Sequence, residues 1–202
     1  MAWKYFDDPR VKDGLDPGQY LALMEEQAGQ TTEDLEPEVA ERVEYTRLNL
    51  HRTQRILRND KMAPQLASLI EGIDRHQLWL VVTEPWCGDS AQCLPQITLM
   101  ARANPHIDLR LVLRDENLDI MDEFLTDGKR AIPRLVIFDA GGHQLALWGP
   151  RPLAAQKVFT QAKSEGLEKP EILERLHLFY GRDRGKSLEQ EFIALLEGMP
   201  QG

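Results

Sequence analysis

Cysteine is almost missing from this sequence: the 202-residue chain has two, Cys87 and Cys93. Two thiols cannot build the disulfide framework of a small secreted domain. A reducing, cytoplasmic setting is therefore expected, and each thiol has to be weighed singly. Long apolar runs are missing too. The longest, Leu78-Trp79-Leu80-Val81-Val82, is far short of the ~20 residues a membrane-spanning helix needs. Met1 to Asp8 contains no apolar leader segment, so no signal peptide is expected. Positive charge is in deficit, with 24 Lys and Arg against 33 Asp and Glu and a net charge of −9. Such a chain repels nucleic acid and anionic membranes, and neither is an expected partner. The histidines His51, His76, His106, His143 and His177 are scattered without metal-ligand spacing, so no metal and no cofactor is expected. There is no internal repeat and no low-complexity tract.

What is present is an ordinary globular composition, 42% hydrophobic and 28% charged. A chain of this length can bury one core and carry extensions. Helical signals fill residues 1–75. Asp16-Pro17 starts one helix, and Asp34 to Pro37 starts a longer one, because Pro suits a first helical turn. Val39, Val43, Leu50 and Leu57 predict one apolar stripe on the longer helix. Arg42, Arg47, Arg52, Arg55 and Arg58 read as its solvated basic face. A short helix is expected from Ala63 to Ile73.

The period then changes. Trp79 to Thr83 reads as a buried strand, Ser90 to Ala103 as a helix and Asp108 to Arg114 as a strand. Leu118 to Leu125 reads as a short helix. The apolar runs Leu135–Phe138 and Leu145–Trp148 are joined by Asp139-Ala140-Gly141-Gly142-His143, a hairpin signal. Leu153 to Lys163 is a further helix, which makes the order β-α-β-α-β-β-α. Helices at Pro170–Tyr180 and Ser187–Leu196 follow, with Gly181 to Gly185 expected as a polar loop between them. Three segments result: an N-terminal helical extension (1–75), an α/β core (76–165) and a C-terminal helical extension (166–202).

The stretch that carries chemistry is Thr83-Glu84-Pro85-Trp86-Cys87-Gly88-Asp89-Ser90-Ala91-Gln92-Cys93-Leu94-Pro95. Cys87 falls between a strand end and a helix start. First-turn N–H groups and the helix dipole favour an anion there, which lowers a thiol pKa. A value modestly below the free ~8.5 is expected.

With these residues the sequence resembles the thioredoxin superfamily. Trp86-Cys87-Gly88 resembles the opening of that family's Trp-Cys-Gly-Pro-Cys motif. Pro95 stands where the family kinks its active-site helix, and Ile132-Pro133 stands where the family has a cis-proline before a core strand. The resemblance implies a thioredoxin-like fold, a central mixed sheet flanked by helices, and extends to a bacterial branch with a Trp-Cys-Gly-Asp motif and a helical N-terminal extension. It implies Cys87, Ser90 and Pro133 as catalytic residues. Trp86, Gly88, Asp89, Ile132, Arg134 and Trp148 are read as substrate-contacting residues, and the resemblance implies that the backbone before Pro133 pairs with a substrate peptide.

The departures from the pattern shape the expected activity. Ser90 replaces the second motif cysteine and cannot resolve a mixed disulfide, although its hydroxyl can donate to the Cys87 thiolate. Asp89 replaces the motif proline and opposes the thiolate. Val81 stands where the family has a buried acid. Cys93 lies six residues from Cys87, about 9 Å along a helix and roughly 120° around it, beyond the ~7 Å that a disulfide allows. Cys93 therefore reads as a small, half-buried helix residue. Arg134 offers a cation that could hold the thiolate or read an acidic substrate. Asp115-Glu116-Asn117 reads as the cap of the helix at Leu118, and Trp86 and Trp148 as possible borders of an apolar groove. The leading expectation is a monothiol thiol–disulfide protein acting on a protein or low-molecular-weight thiol or disulfide, with an external thiol resolving it. A redox-silent binding module is the alternative, and a glutathione-dependent iron–sulfur carrier the third.

Overall fold

In the computed structural model, which describes residues 1–59 and 61–199, four strands form one sheet in the order β2-β1-β3-β4. Strand β1 (Gln77–Thr83) is buried along its whole length, as expected of a central strand covered on both faces. It pairs in parallel with β2 (Ile107–Leu113) and antiparallel with β3 (Arg134–Asp139); β3 pairs antiparallel with β4 (Gln144–Trp148). The sheet is therefore mixed and flanked by helices, and the α/β thioredoxin-like class is correct.

Period-two alternation divides the core into two layers. Trp79, Val81, Leu109, Leu111, Leu135, Ile137 and Trp148 point to one face. That face is covered by α2 (Pro17–Ala28), α4 (Pro64–Glu71), α5 (Gly88–Arg102), α8 (Lys169–Asp183) and α9 (Lys186–Gly198). Leu78, Leu80, Val82, Val136 and Phe138 point to the other face. There they meet Val11 of α1 (Pro9–Lys12), Ile120 and Met121 of α6 (Leu118–Met121), and Phe124 of the 3-10 turn that follows. The N-terminal residues close this second layer. Trp3 stacks on Phe138 at 5.0 Å, and its amide donates to Gly142 O at 2.8 Å. Gly142 has φ +75°, and a Cβ there would lie 2.6 Å from the Phe6 ring, so the hairpin tip needs glycine on both counts. Leu15 forms an antiparallel bridge with Leu111 on the outer side of β2.

Several helical expectations need correction. Of the stripe expected on helix α3 (Pro37–Asn59), Val39, Val43, Leu50 and Leu57, only Val43 is buried. The helix's buried residues are Val43, Thr46, Asn49, Thr53 and Ile56, while Val39 is 45% exposed. The helix faces α5 and the polar motif loop, where side chains with hydrogen-bond partners replace apolar ones: Thr46 donates to Arg42 O and Asn49 to Pro85 O. Its basic face is also only partly solvated. Arg47 donates to Ala28 O at 2.8 Å, and Arg42 and Arg52 reach the motif region. Residues 181–183 are helical, not loop, so α8 and α9 are separated by Arg184 and Gly185, both left-handed (φ 52° and 80°). Ser187 closes this tight turn by donating through its amide and hydroxyl to Asp183. Asn117 precedes α6 but makes no side-chain cap; its side-chain amide donates to Leu113 O, and Asp115 pairs with Arg114 and Arg42.

No helix among the described residues is long and apolar enough to cross a membrane.

Candidate functional site

Helix α5 begins where β1 ends, and Cys87 is its N-cap residue with extended backbone (φ −77°, ψ 117°). The helix packs in the first core layer, yet the Cys87 side chain turns into the second, beside Ile132 and Trp86. Its thiol donates to Ile132 O at 3.3 Å. The Ile132–Pro133 peptide is cis. Gly149 holds that segment from the other side. A Cβ on Gly149 would lie 2.3 Å from Pro133 O, and its φ of +110° is open to glycine alone. The site thus brings Cys87, Ile132 and Pro133 together at the C-terminal end of β1.

Ser90 lies in the first turn of α5, fully enclosed. Thr83 Oγ1 donates to Ser90 Oγ at 2.8 Å, and Tyr20 shares a hydrogen bond with Thr83. With its oxygen engaged, the Ser90 hydroxyl turns its own hydrogen toward the Cys87 sulfur, which favours the thiolate, as do the amides of Asp89 and Ser90. Burial and the neighbouring Asp89 carboxylate outweigh them. They push the Cys87 thiol up to about 11, so the expected lowering is overturned. Desolvation of a thiolate at an 8% exposed position exceeds what one helix start returns.

Asp89 is the most connected residue of the motif. Its carboxylate, 11% exposed, accepts two bonds from Arg151 (3.0 and 2.6 Å) and one from the Tyr180 hydroxyl (2.6 Å). Arg151 also stacks on Phe159 at 4.4 Å. Burial still raises the Asp89 pKa despite these partners. Tyr180 comes from α8, so the C-terminal extension completes the environment of the motif. The same hydroxyl lies 3.9 Å from the Cys93 sulfur. Cys93 is 1% exposed in the first layer, more deeply buried than the half-buried position expected, and burial pushes its thiol well up. Both cysteines are free.

Trp86 is clasped between two guanidinium groups, Arg42 of α3 at 5.0 Å and Arg114 at 4.9 Å. Both arginines pair with Asp115, whose amide donates to the buried Glu84 carboxylate. Gly88 lies under His177 of α8, whose Nε2 is 3.7 Å from where a Cβ would stand. Half-burial, together with Arg52, lowers the His177 pKa to about 4, so the ring is neutral at pH 7. Among the described residues no three His, Cys, Asp or Glu side chains gather as a metal site.

Two sequence-derived roles change here. Trp148 lies in the first layer, 7% exposed, packed on Phe192 and donating to Glu191. Trp86 belongs to the second layer, so the two tryptophans lie on opposite faces of the sheet and border no common groove. The Arg134 guanidinium donates to Phe124 O and Gly149 O, which braces the loops around Pro133 rather than offering a free cation to the thiolate. Tyr180, Arg151 and Asn49 complete the site but carry no local motif in the sequence, and Thr83 and Glu84, inside the motif stretch, gain a role only through Ser90 and Asp115.

A family model described as thioredoxin matches residues 37–163. No curated relative matches the sequence. Two solved structures share the fold over nearly the whole length. One is a protein of unknown function from Pseudomonas aeruginosa, with 20% identity, a TM-score of 0.60, and coverage of 93% of this chain and 95% of that one. The other is an HIV epitope scaffold, with 20% identity, a TM-score of 0.62, and coverage of 98% and 99%. At that identity they speak for the fold alone. The family match spans well over half of the residues and contains the strand–cysteine–helix unit, Ile132-Pro133 and all four strands, and on that ground the chain belongs to the thioredoxin family.

Proposed function

We propose that the protein is a monothiol thiol–disulfide protein whose one working sulfur, Cys87, rests as a protonated thiol and reacts only when a substrate docks beside Pro133. The observation that carries this reading is the bond from the Cys87 thiol to Ile132 O. That carbonyl is where an extended substrate backbone would pair. A docked peptide N–H competes for it, and the thiol then loses a bond that holds its proton while the Ser90 hydroxyl and the amides of Asp89 and Ser90, which favour the thiolate, stay in place. In the reaction the Cys87 sulfur attacks one sulfur of a substrate disulfide. One S–S bond forms as the other breaks, and the leaving thiolate takes the proton that Cys87 loses. An external thiol, glutathione or a protein thiol, then attacks the mixed disulfide, restores Cys87 and departs bonded to the substrate. Ser90 cannot resolve the intermediate, and Cys93 faces the other layer.

The test uses Cys93→Ser protein. With a pKa of about 11, alkylation of Cys87 at pH 7 should run about 300-fold slower than for a free thiol near 8.5. It should keep rising beyond pH 10. Incubation with a peptide disulfide should yield one adduct on Cys87, released by added thiol. If no adduct forms while a free cysteine peptide exchanges readily, the monothiol reading is wrong. The burial of Cys87 then favours the second reading, a redox-silent thioredoxin-fold module that docks a protein partner.

A further inference from the structure

A cleft of about 450 Å³ opens between the C-terminal end of α3, the outer side of α5 and the α8–α9 turn. Its size lies within the range of small-molecule sites, and it could hold about fifteen waters at liquid density. Its walls fall into two parts. The floor is apolar: Ile56, Met100 and Leu188 are almost closed off beneath it, and the half-buried Met62 and Leu99 offer the accessible apolar surface. The rim carries Arg55, Lys61 and Arg184. None of the three forms an ion pair among the described residues. The two acids of the lining are both engaged: Asp183 accepts the amide and hydroxyl of Ser187, and Glu189 accepts the Ala63 amide at 2.8 Å. In a chain of net charge −9, the lining thus sets three cations against two carboxylates among the described residues.

The turn that brings Arg184 to the rim is strained. Among the described residues Arg184 is one of two non-glycine residues with positive φ, and the next residue, Gly185, has φ +80°, where any side chain is strained. We propose that this cleft binds a small organic anion, a carboxylate or sulfonate carried on an apolar body, with the apolar part against Met62 and Leu99 and the charge among Arg55, Lys61 and Arg184. The Tyr180 side chain forms part of the wall, and its hydroxyl bonds to Asp89. The ligand therefore sits one hydrogen bond from the redox motif, but its binding does not depend on Cys87.

Naphthalene-1-sulfonate serves as the probe, titrated calorimetrically into the full chain at low salt beside the uncharged naphthalene-1-sulfonamide. The sulfonate should bind 1:1 and saturate below roughly 5 mM, the millimolar affinity class. The sulfonamide should bind at least several-fold more weakly. The double variant Arg55→Gln/Arg184→Gly should weaken the sulfonate about fivefold or more, the loss of two partly exposed charge contacts. Glycine suits the left-handed position 184, so this variant keeps the fold, which circular dichroism and thermal melting verify. Cys87→Ser should bind the probe unchanged, which separates this site from the monothiol reading. No saturation by 5 mM, equal binding of the sulfonamide, or an unaltered affinity in the double variant would each overturn the proposal.

Discussion

Cys87 and Cys93 belong to one helical segment and one short motif, yet they report on opposite layers of the molecule. Cys87 caps α5 and turns across the end of the sheet toward Ile132; Cys93 points from the helix interior into the first layer against Tyr180. Burial raises both thiols, and so does Asp89, which stands between them in sequence. They differ in what opposes burial. Cys87 has a hydroxyl and two helix-start amides, while Cys93 has the Arg151 charge and one hydroxyl that is already committed to Asp89. A cysteine beside a helix start is therefore no better than its access to solvent. Dipole and amides supply a thiolate only where burial does not cancel them.

The comparison can be broken most forcefully at the charge between the two sulfurs. Arg151→Met leaves the enclosed Asp89 carboxylate with the Tyr180 hydroxyl alone, and should lower stability by about 3–5 kcal/mol at pH 7. The Asp89 pKa is already raised, so its carboxyl protonates readily as pH falls and the deficit should shrink in acid. Urea unfolding at pH 7 and at pH 4.5 checks both statements; an equal deficit at the two pH values would show that lost packing, not the bared charge, is responsible. Gly149→Ala should cost about 2–4 kcal/mol, because the new Cβ meets the Pro133 carbonyl and the φ is unfavourable. It should also alter the reactivity of Cys87 while leaving Cys93 untouched.

A smaller effect separates the sulfurs by alkaline titration. The folded Cys87 thiol ionises at about 11 and the unfolded one near 9. The unfolded chain therefore loses this proton first, and stability falls as pH rises from 9 to 11, by about 2–3 kcal/mol for this one group. Cys87→Ser should remove that part of the alkaline slope; an unchanged slope would place its origin at Cys93 or the buried tyrosines. Smallest is Asp89→Asn. Removing the charge should bring the Cys87 thiol down by about one unit and speed its alkylation at pH 8 about tenfold. Cys93 should stay unreactive, because enclosure rather than charge alone protects it.

Much of the α/β core was legible in short-range pattern. Trp79–Thr83, Leu135–Phe138 and Leu145–Trp148 announce themselves as apolar runs between turn residues, and Trp86-Cys87-Gly88 marks the strand-to-helix junction. What escaped is long-range or hidden by parity. Both faces of the sheet are buried, so apolar character could not reveal that Trp148 looks away from Trp86. Asp89 reads as a lone acid until Arg151 and Tyr180, 62 and 91 residues onward, are folded against it. The stripe on α3 misled for a related reason. That helix buries Thr46, Asn49 and Thr53 against polar backbone, and a search for apolar spacing passes over them. The Cys87 pKa failed on the same ground, since enclosure is a property of the assembled site and not of the motif.

The bond from Tyr180 to Asp89 also orders events in time. A ribosome delivers the motif some ninety residues before the hydroxyl that completes it, and domains fold as the chain emerges. A nascent chain can pair β1 with its neighbours while Asp89 still lacks its α8 partner and one side of Cys93 lies open. Cys93 therefore passes through a more accessible state during synthesis and gains its last neighbour, the Tyr180 hydroxyl, when α8 docks. Oxidants and alkylating agents would reach Cys93 more readily in the nascent chain than in the finished protein, whereas Cys87 depends on its own neighbours, Ile132 and Trp86.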